Sequence, residues 1–260
     1  MTDPTFPAVY RALLIAFFLL SPLTFLVLLR ITAPYGRHQK SGWGPTVSST
    51  LGWILMELPA ALVLPLCYLL GERQAHPVAL VFVGLWQLHY LHRAVLFPLR
   101  RRGGARRMPV AIMASGMLFN VINGYLNGHY LFTLAPDDPL YASTSWLTEP
   151  RFLVGAFVFL AGFLGNLHSD QILFGLRRPG ETGYRIPHGG LYRFVSCPNY
   201  FSEVIEWCGW ALCTWSWAGL GFAVWTAANL VPRALSHHRW YRREFPDYPK
   251  GRKAVLPGLL

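Results

Sequence analysis

The sequence predicts an all-α polytopic membrane protein, a bundle of about seven transmembrane helices with the N-terminus outside and the C-terminus in the cytoplasm. Three observations predict it. Of 260 residues, 53% are apolar and 13% charged, whereas a soluble domain is nearer a quarter charged. Apolar runs of roughly spanning length recur along the chain. Basic residues gather on every second connection between those runs.

The first run, Val9–Leu29, is too long for the core of a cleaved leader and lacks a clear small-residue cleavage site, so it reads as a span. Thr50–Leu70, Pro77–Pro98, Met108–Ala135, Phe152–His168 and Phe194–Trp215 follow. The last, Trp217–Val231, is short and separated from the sixth by a mere kink, so the final pair reads as a tight helical hairpin. The first connection holds Arg30, Arg37 and Lys40. The third holds Arg100, Arg101, Arg102, Arg106 and Arg107, and the fifth holds Arg177, Arg178, Arg185 and Arg193. The tail adds Arg233, Arg239, Arg242, Arg243, Lys250, Arg252 and Lys253, while the opposite face has only Arg11, Arg73 and Arg151 beside several acids. The formal charge of +11 is therefore mostly topological, which argues against a nucleic-acid partner. Cys67, Cys197, Cys208 and Cys213 show neither metal spacing nor a disulfide framework, and no metal is expected. The whole chain, 1–260, reads as one membrane domain.

Polar residues inside the runs point to a site, because a charge in hydrocarbon costs roughly 3 kcal/mol or more and faces the bundle interior. Glu57 interrupts W-I-L-M-E-L-P-A-A-L, and Pro59 follows it closely. Tyr90 and Arg93 share a helix face in H-Y-L-H-R. Asn120, Asn123 and Asn127 form one stripe, for which plain helix–helix hydrogen bonding is an equal reading. Asn199, Glu203 and Glu206 form another, harder to explain as packing. Asn166 and Asp170 end a span. A loop with Arg177, Arg178, Gly180, Gly183, Tyr184 and Arg185 follows, suited to a phosphorylated nucleotide: arginine forks for phosphate, a tyrosine face for a base. Neither G-x-G-x-x-G after a strand nor a P-loop is present, which argues against those nucleotide-binding domains. His237, His238, Arg239 and Tyr241 repeat the theme in the tail.

These residues fall in ordered motifs: YGRH at 35–38, ELP at 57–59, HY-x-HR at 89–93, NGYL at 123–126 and NLHSD at 166–170. LRRPG, GYRIP, GGL at 189–191, NYFSEVIEW at 199–207, HHRWY and DYPK complete the series. The ordered set resembles the steroid 5-alpha-reductase family (3-oxo-5-alpha-steroid 4-dehydrogenases) from about Tyr35 onward. The resemblance implies a seven-helix enzyme that reduces the C4–C5 double bond of 3-oxo-Δ4 steroids with NADPH. It implies that Glu57 and Tyr90 hold the 3-oxo oxygen. It implies that Asn123, Asn166, Asp170, Arg177, Tyr184, Arg185, Asn199, Glu203, His237 and Tyr241 line the cofactor channel, with Arg37, Arg102 and Arg106 as further phosphate contacts. The part from about 108 to 260 would hold most cofactor motifs. Ser115 departs from the arginine that mammalian members carry before Gly116, and Phe174 replaces a familiar arginine.

The chemistry then follows. Hydride addition at C5 drives charge onto the 3-oxo oxygen, and donors aimed there stabilise the transition state. A carboxyl kept protonated in an apolar setting is such a donor, as in ketosteroid isomerase, and Tyr90 supplies a phenol. The proton for C4 comes from water or from Tyr90. The lipophilic steroid is expected from the bilayer, among membrane lipids and with no obligate protein partner. NADPH is expected from the cytoplasm, the membrane being a bacterial inner membrane or the endoplasmic reticulum. Rival readings are a sterol or other lipid double-bond reductase, an isoprenylcysteine carboxyl methyltransferase-like enzyme and a non-enzymatic sterol carrier. The arginines argue against the methyltransferase, whose cofactor has no phosphate.

Overall fold

The computed structural model describes residues 7–100, 106–135, 141, 143–177, 181 and 183–260. Helices dominate. α1 is Ala8–Arg30, α2 Ser49–Leu70 and α3 Pro77–Leu91, which passes through a widened π turn, His92–Leu96, into the one-turn α4, Phe97–Arg100. α5 is Val110–His129 and ends in a second π turn, Tyr130–Leu134. α6 is Pro150–Gly175, α7 Pro198–Thr214 and α8 Trp217–Glu244. Five of these stretches, 8–30, 49–70, 77–100, 110–134 and 150–175, are long and apolar enough to cross a bilayer. The sixth and seventh runs take a different form. α7 has 17 residues, because residues 194–197 stay outside the helix and pair by backbone with Lys253 and Ala254. α8 runs 28 residues, well past Val231, with Pro232 inside it and the basic tail continuing the same helix.

Local chemistry explains several helix starts. Pro77, Pro150 and Pro198 open α3, α6 and α7, where a missing N–H costs nothing. The Ser48 and Ser216 hydroxyls accept from the backbone of Leu51 and Gly219, capping α2 and α8. A small sheet was not legible in the sequence: β1 (Thr46–Ser48) pairs antiparallel with β2 (Arg107–Pro109), with Val47 opposite Met108. It clips the segment before α2 to the one before α5.

The outer surface is apolar. Leu19, Leu70 and Phe157 are all about two-thirds exposed or more, which suits a lipid-facing wall. The interior is aromatic: Trp86, Trp207 and Trp210 are buried and pack on Phe82, Phe159 and Phe222. Two of the buried indole N–H groups find acceptors across the bundle: Trp86 donates to Ala60 O at 2.8 Å and Trp210 to Asn127 Oδ1 at 2.8 Å. α6 and α7 touch backbone to backbone. A Cβ on Gly155 would sit 2.6 Å from Cys213 N, and one on Gly162 would overlap Glu206 N. That approach sets the carboxylates of α7 against the polar end of α6. The last residues fold back, pairing Lys253 with Phe194 and Ser196 through backbone hydrogen bonds of 2.9 and 2.8 Å.

Candidate functional site

Arg93 lies at the centre. The π turn begins two residues after Tyr90 and places the guanidinium between α6 and α7, 5% exposed. It donates to Asp170 Oδ2 at 3.3 Å and to Glu203 Oε2 at 3.0 Å. Its faces lie over Trp53 and Phe97, at 5.3 and 4.4 Å from the ring centres. Asn166 Nδ2 donates to Asn199 O and to Glu203 Oε2, and Asn199 Nδ2 donates to Asp170 Oδ1. Four sequence-predicted residues thus form one network, tied by an arginine that the sequence reading did not assign a role.

A cavity of about 180 Å³ opens beside this network. Its wall includes Arg37, Arg106, Asp170, Arg177, Tyr184, Arg185, Asn199, His237 and Tyr241, nine of the residues expected at the cofactor. Arg37, Arg106 and Arg177 all lie about 5 Å from the Tyr184 ring centre. Burial, and after it the neighbouring Arg106 charge, lowers the Arg177 pKa. Arg37 Nη1 is buried with no hydrogen-bond partner among the described residues. His237 stacks on His38 with ring centres 4.9 Å apart and bonds it at 2.9 Å, and Tyr200 OH bonds its other nitrogen. Burial and then Arg37, Lys40 and Arg243 lower His38 to about 4, so this imidazole stays neutral at ordinary pH.

The remaining expected residues lie elsewhere. Asn166 and Glu203 are not on the cavity wall but brace Asp170, Asn199 and Arg93, which are. Asn123 is not on it either; its side chain interacts with Tyr90. Arg102 lies outside the described residues. Sequence reasoning missed Tyr35, Trp53, Tyr192, Tyr200 and Arg233 on the wall. Arg233 had a legible signal, lying one helical turn before His237; its guanidinium covers the Tyr35 ring at 4.1 Å.

Glu57 and Tyr90 are electrostatic neighbours in the interior, and Glu57 also feels Arg93. Asn120 Nδ2 donates to Met56 O at 2.8 Å and to Glu57 Oε2 at 3.3 Å. Behind Tyr90, His89 Nδ1 pairs with Glu206 Oε1 at 2.8 Å, both buried. Neither Glu57 nor Tyr90 lies on the cavity wall; Arg93, which does, is an electrostatic neighbour of Glu57.

Comparison with known proteins agrees. The family described as 3-oxo-5-alpha-steroid 4-dehydrogenase matches residues 106–260. The chain is 40% identical to the Steroid 5-alpha-reductase DET2 of Arabidopsis thaliana over 99% of its own length and 98% of the relative's. It is 42% identical to 3-oxo-5-alpha-steroid 4-dehydrogenase 1 of Bos taurus, covering 91% of both chains. The Homo sapiens protein of that name is also 42% identical, over 87% of this chain and 86% of the relative. With a matching profile over more than half its length and relatives of this similarity from end to end, the chain belongs to the 3-oxo-5-alpha-steroid 4-dehydrogenase family, oxidoreductases acting on CH–CH groups.

Proposed function

We propose that this protein reduces the C4–C5 double bond of 3-oxo-Δ4 steroids with NADPH, giving 5-alpha-dihydro products. One observation carries the reading: Arg93, on the wall of the cation-rimmed cavity, is also an electrostatic neighbour of Glu57, so a ketone clamp would lie next to a nucleotide site.

The residues fit an anionic dinucleotide. A buried Arg37 Nη1 with no hydrogen-bond partner among the described residues, beside two more guanidiniums around one tyrosine ring, is a donor set in need of phosphate oxygens. Arg37, Arg106 and Arg177 would hold those phosphates, and Tyr184 offers its ring to a base. The extra 2′-phosphate of NADPH favours it over NADH at so cationic a mouth. NADPH, when bound, supplies the hydride. Asp170, Asn199 and Arg93 supply the polar wall nearest the clamp, and the Asp170 and Glu203 carboxylates hold Arg93 in place.

Glu57 and Tyr90 act on the ketone. Both direct an O–H at the 3-oxo oxygen, where negative charge grows as C5 accepts hydride. Water is kept out by the aromatic layer of Trp86, Trp207 and Phe222 around Tyr90. The steroid enters from the bilayer between apolar helices. The basic connections and tail face the cytoplasm, and α7 and α8 complete a seven-span bundle with the N-terminus outside.

The test is direct. Purified protein with NADPH and testosterone or progesterone should yield the 5-alpha-dihydro steroid. Glu57→Leu should lower kcat by about 10²–10³, the cost of deleting one oxyanion donor. Wild-type turnover in that variant overturns the clamp, and reduction of a different bond overturns the assignment of C4–C5.

A further inference from the structure

The asparagines of α5 make contacts that the clamp reading does not use. Their spacing puts them on one helix face. Trp210 is the fixed end, because an indole can only donate. Its Nε1 donates to Asn127 Oδ1 at 2.8 Å, which leaves the Asn127 amide nitrogen facing the other way. That nitrogen donates to Asn123 Oδ1 at 3.0 Å and to Asn123 O at 3.1 Å. The Asn123 oxygen is thus committed to Asn127. Its Nδ2 is buried with no hydrogen-bond partner among the described residues, and its side chain interacts with the Tyr90 phenol. One turn earlier, the N–H groups of Asn120 are spent on Met56 O and Glu57 Oε2.

A carboxylic acid has two oxygens and one proton, and a phenol can point its hydrogen in more than one direction. A donor parked on Glu57 Oε2 makes that oxygen the acceptor and leaves the proton on Oε1. A donor at the Tyr90 oxygen likewise leaves its hydrogen to point elsewhere. We propose that α5 presents a directional donor ladder, Trp210 to Asn127 to Asn123 to Tyr90 with Asn120 to Glu57 beside it, that aims both clamp protons at the substrate ketone. Asn120 and Asn123 are then positioning residues acting through Glu57 and Tyr90. The inference rests on the clamp reading above, and the test separates the two.

The test compares Asn120→Leu in the wild-type and Glu57→Gln backgrounds, by kcat and by KM for NADPH and steroid on the full chain in detergent. An amide carries its donor by covalent structure, so Glu57→Gln removes the choice of oxygen that Asn120 makes. Asn120→Leu should lower kcat about tenfold in the wild-type background, the size of one net hydrogen bond, and at most about twofold in Glu57→Gln. KM for NADPH should stay within about twofold in both. Equal losses in the two backgrounds overturn the ladder while leaving the clamp. An inactive Glu57→Gln overturns donation by residue 57, and the ladder with it. Asn120→Asp keeps the side-chain shape and guards against misfolding: with its thermal midpoint and NADPH affinity retained, kcat should still fall about tenfold. Full kcat in a folded Asn120→Asp overturns the proposal.

Discussion

Replacing Arg93 by methionine tests the joint between the two halves of the site. Methionine keeps an unbranched stem between Trp53 and Phe97 but removes the guanidinium. The change strands Asp170, whose side chain is 1% exposed, and Glu203, at 13%. Each retains a weaker amide donor, Asn199 for Asp170 and Asn166 for Glu203. Removing one partner of a buried ion pair costs about 3–5 kcal/mol, most of it from the uncompensated charge left behind. For a chain of this length, about 2–4 °C of melting temperature accompanies each kcal/mol, so the thermal midpoint in detergent should drop by roughly 6–20 °C. Adding Asp170→Asn and Glu203→Gln removes the stranded charges and should restore most of that loss without restoring turnover. A drop below about 2 °C for Arg93→Met alone, or no recovery in the triple variant, refutes the view that Arg93 is held by these carboxylates as a charged bridge.

Two further outcomes follow from other parts of the molecule. Arg177→Ala should raise KM for NADPH about tenfold or more and leave KM for steroid within about twofold, since one lost charge-assisted bond is worth roughly 1.5–3 kcal/mol; equal effects on both substrates would remove Arg177 from the nucleotide. Gly162→Ala should cost about 3 kcal/mol or more, because the added methyl meets backbone atoms of Ser202 and Glu206 that cannot rotate away. Gly175→Ala, where nothing lies within 4 Å, is the matched control and should melt with the wild type.

Helix positions were legible because hydropathy and length are local properties. Val9–Leu29 and Thr50–Leu70 match α1 and α2 within one residue at each end. The run from Trp217 was cut short at Val231 because charge density rises there, although the helix continues to Glu244. Strands of three residues leave no periodicity to read, so β1 and β2 escaped notice. The site was half legible for the same reason. Single polar residues in apolar runs announce themselves, so Glu57, Arg93 and Glu206 stood out. Their pairings did not: His89 and Glu206 are 117 positions apart and Arg93 and Glu203 are 110 apart, and no local pattern encodes such contacts. Asn123 is expected at the cofactor by motif, and its neighbour in space is Tyr90, on a helix, α5, that packs chiefly on α2.

The short clip between β1 and β2 has a consequence for the basic connection that leads into it. Extended backbone sends consecutive side chains to opposite sides. Arg107 turns to Thr46, bonding its hydroxyl and its carbonyl at 2.6 Å each, while Arg106 turns to the cavity and the Tyr184 ring. Two adjacent, chemically identical residues are therefore a fastener and a piece of the cavity wall. A tally of positive charge cannot distinguish them, and trading one for the other by a single-residue slip would exchange their jobs.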